Sequence, residues 1–292
     1  MIDRRTFFLT PGAGLACSLA GLPIRNAWAG TAALQDALRD IEAGAKGRLG
    51  VHIIDTATGR EHGWRADERF LMLSSFKLLA SALVLARADR GEESLERRIR
   101  YRQQDLVPWS PVPEKHVGGE GLSLAQLCEA TITTSDNTAA NLILASYGGP
   151  AALTAFARRL GDMLTRHDRT EPGLNRRASS GEPLDTTTPR AMAHTVRKLL
   201  LGNALAPASR EQLLQWLLAN TTGGKRLRAG VPGGWRMGEK TGTAGDDAND
   251  IGIAFPPQRA PLIVTAYLAG SATDGATRDA ALASVGRLLA RV

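Results

Sequence analysis

Cysteine is scarce in this chain, with Cys17 and Cys128 the two copies among 292 residues. That count excludes a disulfide-built scaffold and a thiolate zinc site. Histidine is nearly as rare, and His52, His62, His116, His167 and His194 form no close pair of the H-E-x-x-H kind, which argues against a metal hydrolase. Aromatic residues make up 5%, and beyond the first thirty residues no run approaches the ~18 apolar residues that cross a bilayer, so no stable membrane anchor is expected. Disorder is excluded from the other side: 43% hydrophobic residues, with Gly and Pro near average usage, suffice to offset chain entropy. Basic residues outnumber acidic ones, 36 to 29, for a formal charge of +7. They are scattered and accompany no helix-turn-helix or RNA motif, so nucleic acid is not an expected partner.

The first thirty residues read as an address. Arg4 and Arg5 precede Phe7-Phe8-Leu9, a weakly apolar stretch runs to Leu22, and Ala27-Trp28-Ala29-Gly30 follows. A basic head, an apolar middle and a small-x-small end are the three parts of a cleavable export signal. The paired arginines resemble a twin-arginine signal, which carries a folded protein across the inner membrane; an ordinary secretory signal is the alternative. Gly14, three before Cys17, stands where a lipoprotein signal has an apolar residue, so Cys17 is read as part of the discarded peptide. Cleavage after about Ala29 delivers a periplasmic product and, with Asp3, Arg4, Arg5 and Arg25 gone, brings the formal charge from +7 to +5.

Beyond that, Leu34, Leu38 and Ile41 recur at helical spacing, and residues 49–55 and the stretch through His62 and Trp64 alternate as strands around a Thr58-Gly59 turn. Residues 78–86 are apolar all round, as a helix enclosed by other helices must be. Helical segments are expected at 123–131, 138–147, 150–160, 189–201 and 208–219. Strands are expected at 234–243, 250–255 and 261–268, with a last helix at 277–289. Strands at both ends with helices between predict a discontinuous α/β domain (30–67 and 217–292) enclosing an all-helical one (68–216).

Three short motifs stand out. Ser74-Ser75-Phe76-Lys77 sits at the N-terminal edge of the apolar helix, where residues three apart share a face and unpaired N–H groups can steady an oxyanion. An S-x-x-K turns up on the order of once by chance in such a chain. Its position at the mouth of a buried helix sets this one apart, because an unpaired lysine there is costly and its desolvation favours a base. Ser135-Asp136-Asn137 precedes a helix and reads equally as an N-cap or as a hydroxyl and an amide aimed at a substrate. Lys240-Thr241-Gly242 lies in an expected strand, with glycine where a ligand or another backbone comes close; a protected edge strand is the plainer reading.

Together and in this order the three resemble the signature of class A β-lactamases and penicillin-binding proteins. Over residues 30–292 the chain resembles a class A serine β-lactamase. The resemblance implies an α/β plus all-α fold, an antiparallel sheet flanked by helices with an inserted helical domain and the active site between them. It implies no cofactor and no metal, a monomer, and β-lactam antibiotics as partners. Acylation of Ser74 alone also fits a D-alanyl-D-alanine carboxypeptidase or a non-hydrolytic β-lactam sensor. The segment Arg169-Thr170-Glu171-Pro172-Gly173-Leu174-Asn175 separates these, because the matching class A loop sets a glutamate and an asparagine on one water. By that match Glu171 activates the deacylating water, and Arg169 pairs with Asp185 across the neck of a loop over 169–185, one residue longer than usual.

Further roles follow from the same match. Lys77 or Glu171 is the acylation base, a choice the sequence leaves open. Ser135 passes a proton to the ring nitrogen, and Asn137 meets the acylamino side chain. Lys240, Thr241 and Arg226 hold the substrate carboxylate. The N–H groups of Ser74 and Thr243 form the oxyanion hole, with Gly242 beside them and Trp109 as an aromatic wall. Leu73 and Ala244 stand where efficient carbapenem hydrolases often carry a disulfide, so penicillins, and with Thr243 cephalosporins, are the expected substrates.

Overall fold

The computed structural model describes residues 24–292, so the basic head and apolar middle of the expected export signal lie outside the described residues. The expected cleavage point after Ala29 falls inside the first helix, α1 (Ile24–Ala45). Then come β1 (Arg48–Asp55), β2 (Glu61–Trp64) and the short β3 (Phe70–Leu71). The buried helix is α2 (Phe76–Asp89), followed by the short strands β4 (Arg98–Ile99) and β5 (Leu122–Ser123). Three helices follow: α3 (Leu124–Thr133), α4 (Asn137–Ser146) and α5 (Pro150–Arg159). After β6 (Thr186–Thr187) the chain forms α6 (Pro189–Leu201), α7 (Pro207–Leu218) and α8 (Leu227–Gly230). It closes with β7 (Arg236–Ala244), β8 (Asp247–Phe255), β9 (Leu262–Ala269) and α9 (Gly275–Leu288).

The five long strands form one antiparallel sheet in the order β2-β1-β9-β8-β7. Period-two alternation sorts its side chains. Leu49, Val51 and Ile53, with Leu262, Val264 and Leu268, pack against Leu34 and Leu38 of α1 and Leu282 and Val285 of α9. Ile54, Ile251, Ile263 and Tyr267 face the other way and join the core around α2, in which every side chain from Phe76 to Ala86 is buried. Each fully buried leucine or isoleucine contributes ~1.5–3 kcal/mol, so both faces of the sheet must be covered to keep it folded.

The span 68–216 is not purely helical. Its α6 packs on β1 and β9, with Thr265 Oγ1 donating to Pro189 O at 2.8 Å, so this helix serves as the second cover of the sheet. Two two-residue ladders, β3 with β6 and β4 with β5, also lie within it. Antiparallel β3–β6 pairing (Phe70 with Thr187, Leu71 with Thr186) ties the segment before Ser74 to the end of the 169–185 loop.

Candidate active site

Ser74 occupies a 3-10 turn, Leu73–Ser75, immediately ahead of α2 rather than the first turn of the helix itself. The turn is clamped from three sides. Met72 N–H donates to Asp185 O (2.9 Å), Asn249 Nδ2 from β8 donates to Leu71 O and Met72 O (2.9 and 3.0 Å), and Ser75 Oγ donates to Met72 O (2.6 Å). Those clamps hold Leu73 at φ +49°, a left-handed conformation that costs a bulky residue ~1–3 kcal/mol and persists only where the surroundings dictate it. Gly242 of β7 lies against the same turn. A Cβ there would stand 2.8 Å from Leu73 Cβ and 3.1 Å from Ser74 N, which is why glycine fits this strand position.

Lys77, the second residue of α2, is fully buried. Its Nζ donates to Ser135 O (2.7 Å) and Asn137 Oδ1 (2.6 Å) and stands 3.2 Å from Glu171 Oε1. Ser74 Oγ donates to that same carboxylate oxygen at 3.3 Å, so serine and lysine meet through Glu171. Burial lowers the Lys77 pKa below the ordinary lysine range, and the Glu171 charge opposes the shift without cancelling it. Glu171 Oε2 accepts from Asn175 Nδ2 at 2.6 Å. Asn175 Oδ1 is buried and accepts from no described residue.

Within Ser135-Asp136-Asn137 the N-cap is Asp136, while Ser135 and Asn137 line the cleft. Asp136 is the N-cap of α4, accepting from Ala139 N at 2.8 Å, and its other oxygen takes Val112 N–H at 3.1 Å. Ser135, at φ +61°, directs its hydroxyl toward Lys240 Nζ at 3.0 Å. Lys240 is buried, and loss of hydration together with the nearby Lys77 charge pushes its pKa well below the usual value.

Ser74, Ser135, Asn137 and Asn175 line one cleft of about 300 Å³ with Thr241, Gly242 and Thr243 of β7. Because β7 is the edge strand, residues of both parities reach this space. Trp109 closes the far side, 65% exposed, its ring N–H donating to Thr134 O at 2.9 Å. Arg169 Nε lies 2.6 Å from Asp185 Oδ2, at the neck of the loop that carries Glu171. Within that loop, one residue longer than usual, Arg177 reaches Asp247 of β8 at 2.6 Å and ties the stretch to the sheet.

Arg226, expected at the substrate carboxylate, stands at the end of β7 beside Thr243. Its guanidinium donates to Asp279 Oδ1 (2.7 Å), Gly242 O (2.8 Å), Asn249 O (2.9 Å) and Thr243 Oγ1 (2.7 Å), and the residue is buried. It braces the end of β7 from behind the cleft. Two residues with no motif of their own complete the site. Thr222 lines the cleft with its hydroxyl 2.5 Å from Thr241 Oγ1. Asn141 clasps the Glu171 backbone from both sides, its Oδ1 taking the N–H at 2.9 Å and its Nδ2 giving to the carbonyl at 3.0 Å. The signal for Asn141 was its place one helical turn after Asn137; Thr222 carried none.

The serine shares one oxygen of a buried glutamate with a buried lysine, at the edge of an antiparallel sheet, and that arrangement suits a serine hydrolase. Comparison with known proteins makes the class definite. A model of the β-lactamase enzyme family matches residues 33–292, and the chain belongs to that family. It is 45% identical to β-lactamase OXY-1 of Klebsiella oxytoca, over 90% of each chain. It is also 45% identical to β-lactamase L2 of Stenotrophomonas maltophilia, over 100% of this chain and 99% of that one. Among solved structures, an ancestral class A β-lactamase is 59% identical with a TM-score of 0.86, covering 88% of this chain and 98% of the other. The putative class A β-lactamase PenP of Rhodopseudomonas palustris gives the same identity, coverage and TM-score.

Proposed function

We propose that the protein hydrolyses the β-lactam amide of penicillins and cephalosporins through an acyl-enzyme on Ser74 that water, activated by Glu171, releases. The observation that carries this reading is the position of Glu171, one oxygen shared by Ser74 Oγ and Lys77 Nζ and the other held by Asn175. Ser74 Oγ attacks the lactam carbonyl and its proton leaves through the Lys77–Glu171 pair. The C–N bond breaks, and the ring nitrogen takes a proton relayed by Ser135, which stands between Lys77 and Lys240. Backbone N–H groups of Ser74 and Thr243 receive the developing oxyanion, and Lys240 and Thr241 receive the substrate carboxylate. Water then attacks the ester, giving its proton to Glu171 and a hydrogen bond to Asn175 Oδ1, and penicilloic-type product departs with Ser74 regenerated.

Arg226 acts in this scheme by fixing the Thr243 hydroxyl and the Gly242 carbonyl. The basic start of the chain and its small-x-small end support export to the periplasm. Among the described residues, no helix is long and apolar enough to cross a membrane. The purified protein with excess nitrocefin should develop colour continuously; a single stoichiometric burst would instead favour a carboxypeptidase or a sensor. Glu171→Ala should then accumulate an acyl-enzyme visible by intact mass, and undiminished turnover would remove Glu171 from the reaction.

A further inference from the structure

Three side chains that nothing in the hydrolytic scheme uses meet at the opposite edge of the sheet from β7. His52 comes from β1, Glu61 from β2 and His194 from α6, and their ligand-capable atoms all lie within 4.8 Å of one another. Glu61 bridges the other two, with Oε2 2.9 Å from His52 Nε2 and Oε1 3.3 Å from His194 Nε2. The His52 ring is fully buried, and its Nδ1 has no hydrogen-bond partner among the described residues. The His194 side chain is 40% exposed, which leaves a path in from solvent and room for water.

We propose that His52, Glu61 and His194 bind one Zn²⁺ ion, with water as the fourth ligand. Two imidazoles and a carboxylate are a donor set that zinc favours. With bonds of ~2.0–2.2 Å, tetrahedral ligand atoms stand about 3.3 Å apart. The two contacts run to different oxygens, Oε2 to His52 at 2.9 Å and Oε1 to His194 at 3.3 Å, so the site forms when His194 rotates on the surface of α6 toward the oxygen that faces His52. One cation competes: Arg190 Nη1 lies 3.2 Å from Glu61 Oε2. Its Nε and Nη2 hold both oxygens of Asp67 at 2.8 and 3.1 Å, so an incoming ion displaces Arg190 from Glu61 while Asp67 retains it. The bound ion would link β1 and β2 to α6, the helix that follows the 169–185 loop and β6. Its role is therefore structural. His52 and His194 are 142 positions apart, which is why spacing along the chain gave no metal motif.

The test is titration of the chelator-treated full protein with ZnCl₂, followed by calorimetry and by thermal unfolding. One saturating equivalent is expected, with Tm raised by about 5 °C at a hundredfold excess over Kd. Co²⁺ as a probe should give the visible absorption of a tetrahedral site. His194→Ala, a change at a half-exposed position that should leave nitrocefin turnover intact, should abolish stoichiometric binding, the Tm shift and the Co²⁺ spectrum. His62→Ala should keep all three. Absence of saturable binding, or binding that survives His194→Ala, overturns the site.

Discussion

Removing the Asp185 carboxylate should open the neck of the 169–185 loop and separate the stability of the fold from the chemistry of release. Asp185 is fully buried. Its Oδ1 accepts from the backbone N–H groups of Asp168 (2.7 Å) and Arg169 (2.9 Å), and its Oδ2 takes the Arg169 guanidinium at 2.6 Å. Asp185→Ala leaves two amides and a guanidinium without their acceptor. Arg169 is 29% exposed and keeps Arg176 O as an acceptor, so the cost falls at the lower end of the ~3–5 kcal/mol for breaking a buried pair, still a large part of the ~5–15 kcal/mol that holds a domain folded. At ~2–4 °C per kcal/mol for a chain of this size, Tm should fall by about 10 °C. Asp185→Asn keeps an acceptor for the amides and tolerates the left-handed backbone at φ +55°, while turning an NH₂ toward Arg169. It should lose about 1–2 kcal/mol, on the scale of a misplaced buried hydrogen bond. Melting curves should therefore rank the parent first, Asn second and Ala last. Pre-steady-state nitrocefin traces below the alanine variant's Tm should show an acylation burst close to the parent's and a steady rate at least tenfold slower, because Glu171 is carried by the loosened loop. An alanine variant melting within 2 °C of the parent, or releasing product at the parental rate, would refute the reasoning.

Asn175→Ala removes the 2.6 Å hold on Glu171 Oε2 and an acceptor for the attacking water. It should slow deacylation ~10²-fold, the usual scale for a displaced catalytic group, with an acyl-enzyme that persists by mass spectrometry; fast turnover would argue for a different water site. Gly242→Ala drives a methyl against Leu73 and Ser74 N, so acylation should fall ~10²-fold with a Tm drop of a few degrees, and a variant as fast as the parent would show that the turn can yield. His167 is buried and stacked on Phe76 at 4.3 Å, and burial pushes its pKa down to about 4 from 6.5. The unfolded chain therefore binds a proton that the fold refuses: this contribution is intact above pH 6.5 and lost as pH falls through the window to 4, by about 3 kcal/mol. Urea unfolding at pH 7 and pH 4 should show that loss in the parent and a smaller one in His167→Gln; equal losses would assign the acid sensitivity elsewhere.

Much of the fold could be read from periodicity. Leu34 and Leu38 are buried at their helical spacing, residues 78–86 lie inside α2, and each expected strand of the sheet is present within a few residues. What the sequence hid depends on partners distant along the chain. The β3–β6 ladder joins two-residue segments that carry no period, and α6 covers the sheet with an apolar stripe indistinguishable from one facing other helices. Ser74, Lys77, Ser135 and Lys240 could be singled out because each lies in a recognisable local element, and the fold brings Lys77, Ser135 and Lys240 together. Arg226 is placed near the substrate by family match alone, and its partners Asp279, 53 positions on, and two backbone carbonyls carry no signal along the chain. Residue type reports what a side chain can bind; only the fold reports what reaches it first.

The hydrogen bond from Met72 N–H to Asp185 O joins the nucleophile's turn to the far end of the loop that carries Glu171. In the proposed mechanism, bond making at Ser74 and ester release at Glu171 therefore share one mechanical joint. A lineage selected to admit bulkier antibiotics by loosening that loop would also slacken the backbone under Ser74, so breadth and speed compete at this joint. Compensating substitutions are to be sought around Met72, Asn249 and Asp185 rather than in the walls of the cleft. Variants isolated under changing drug pressure would register that competition as second-site changes beneath the serine.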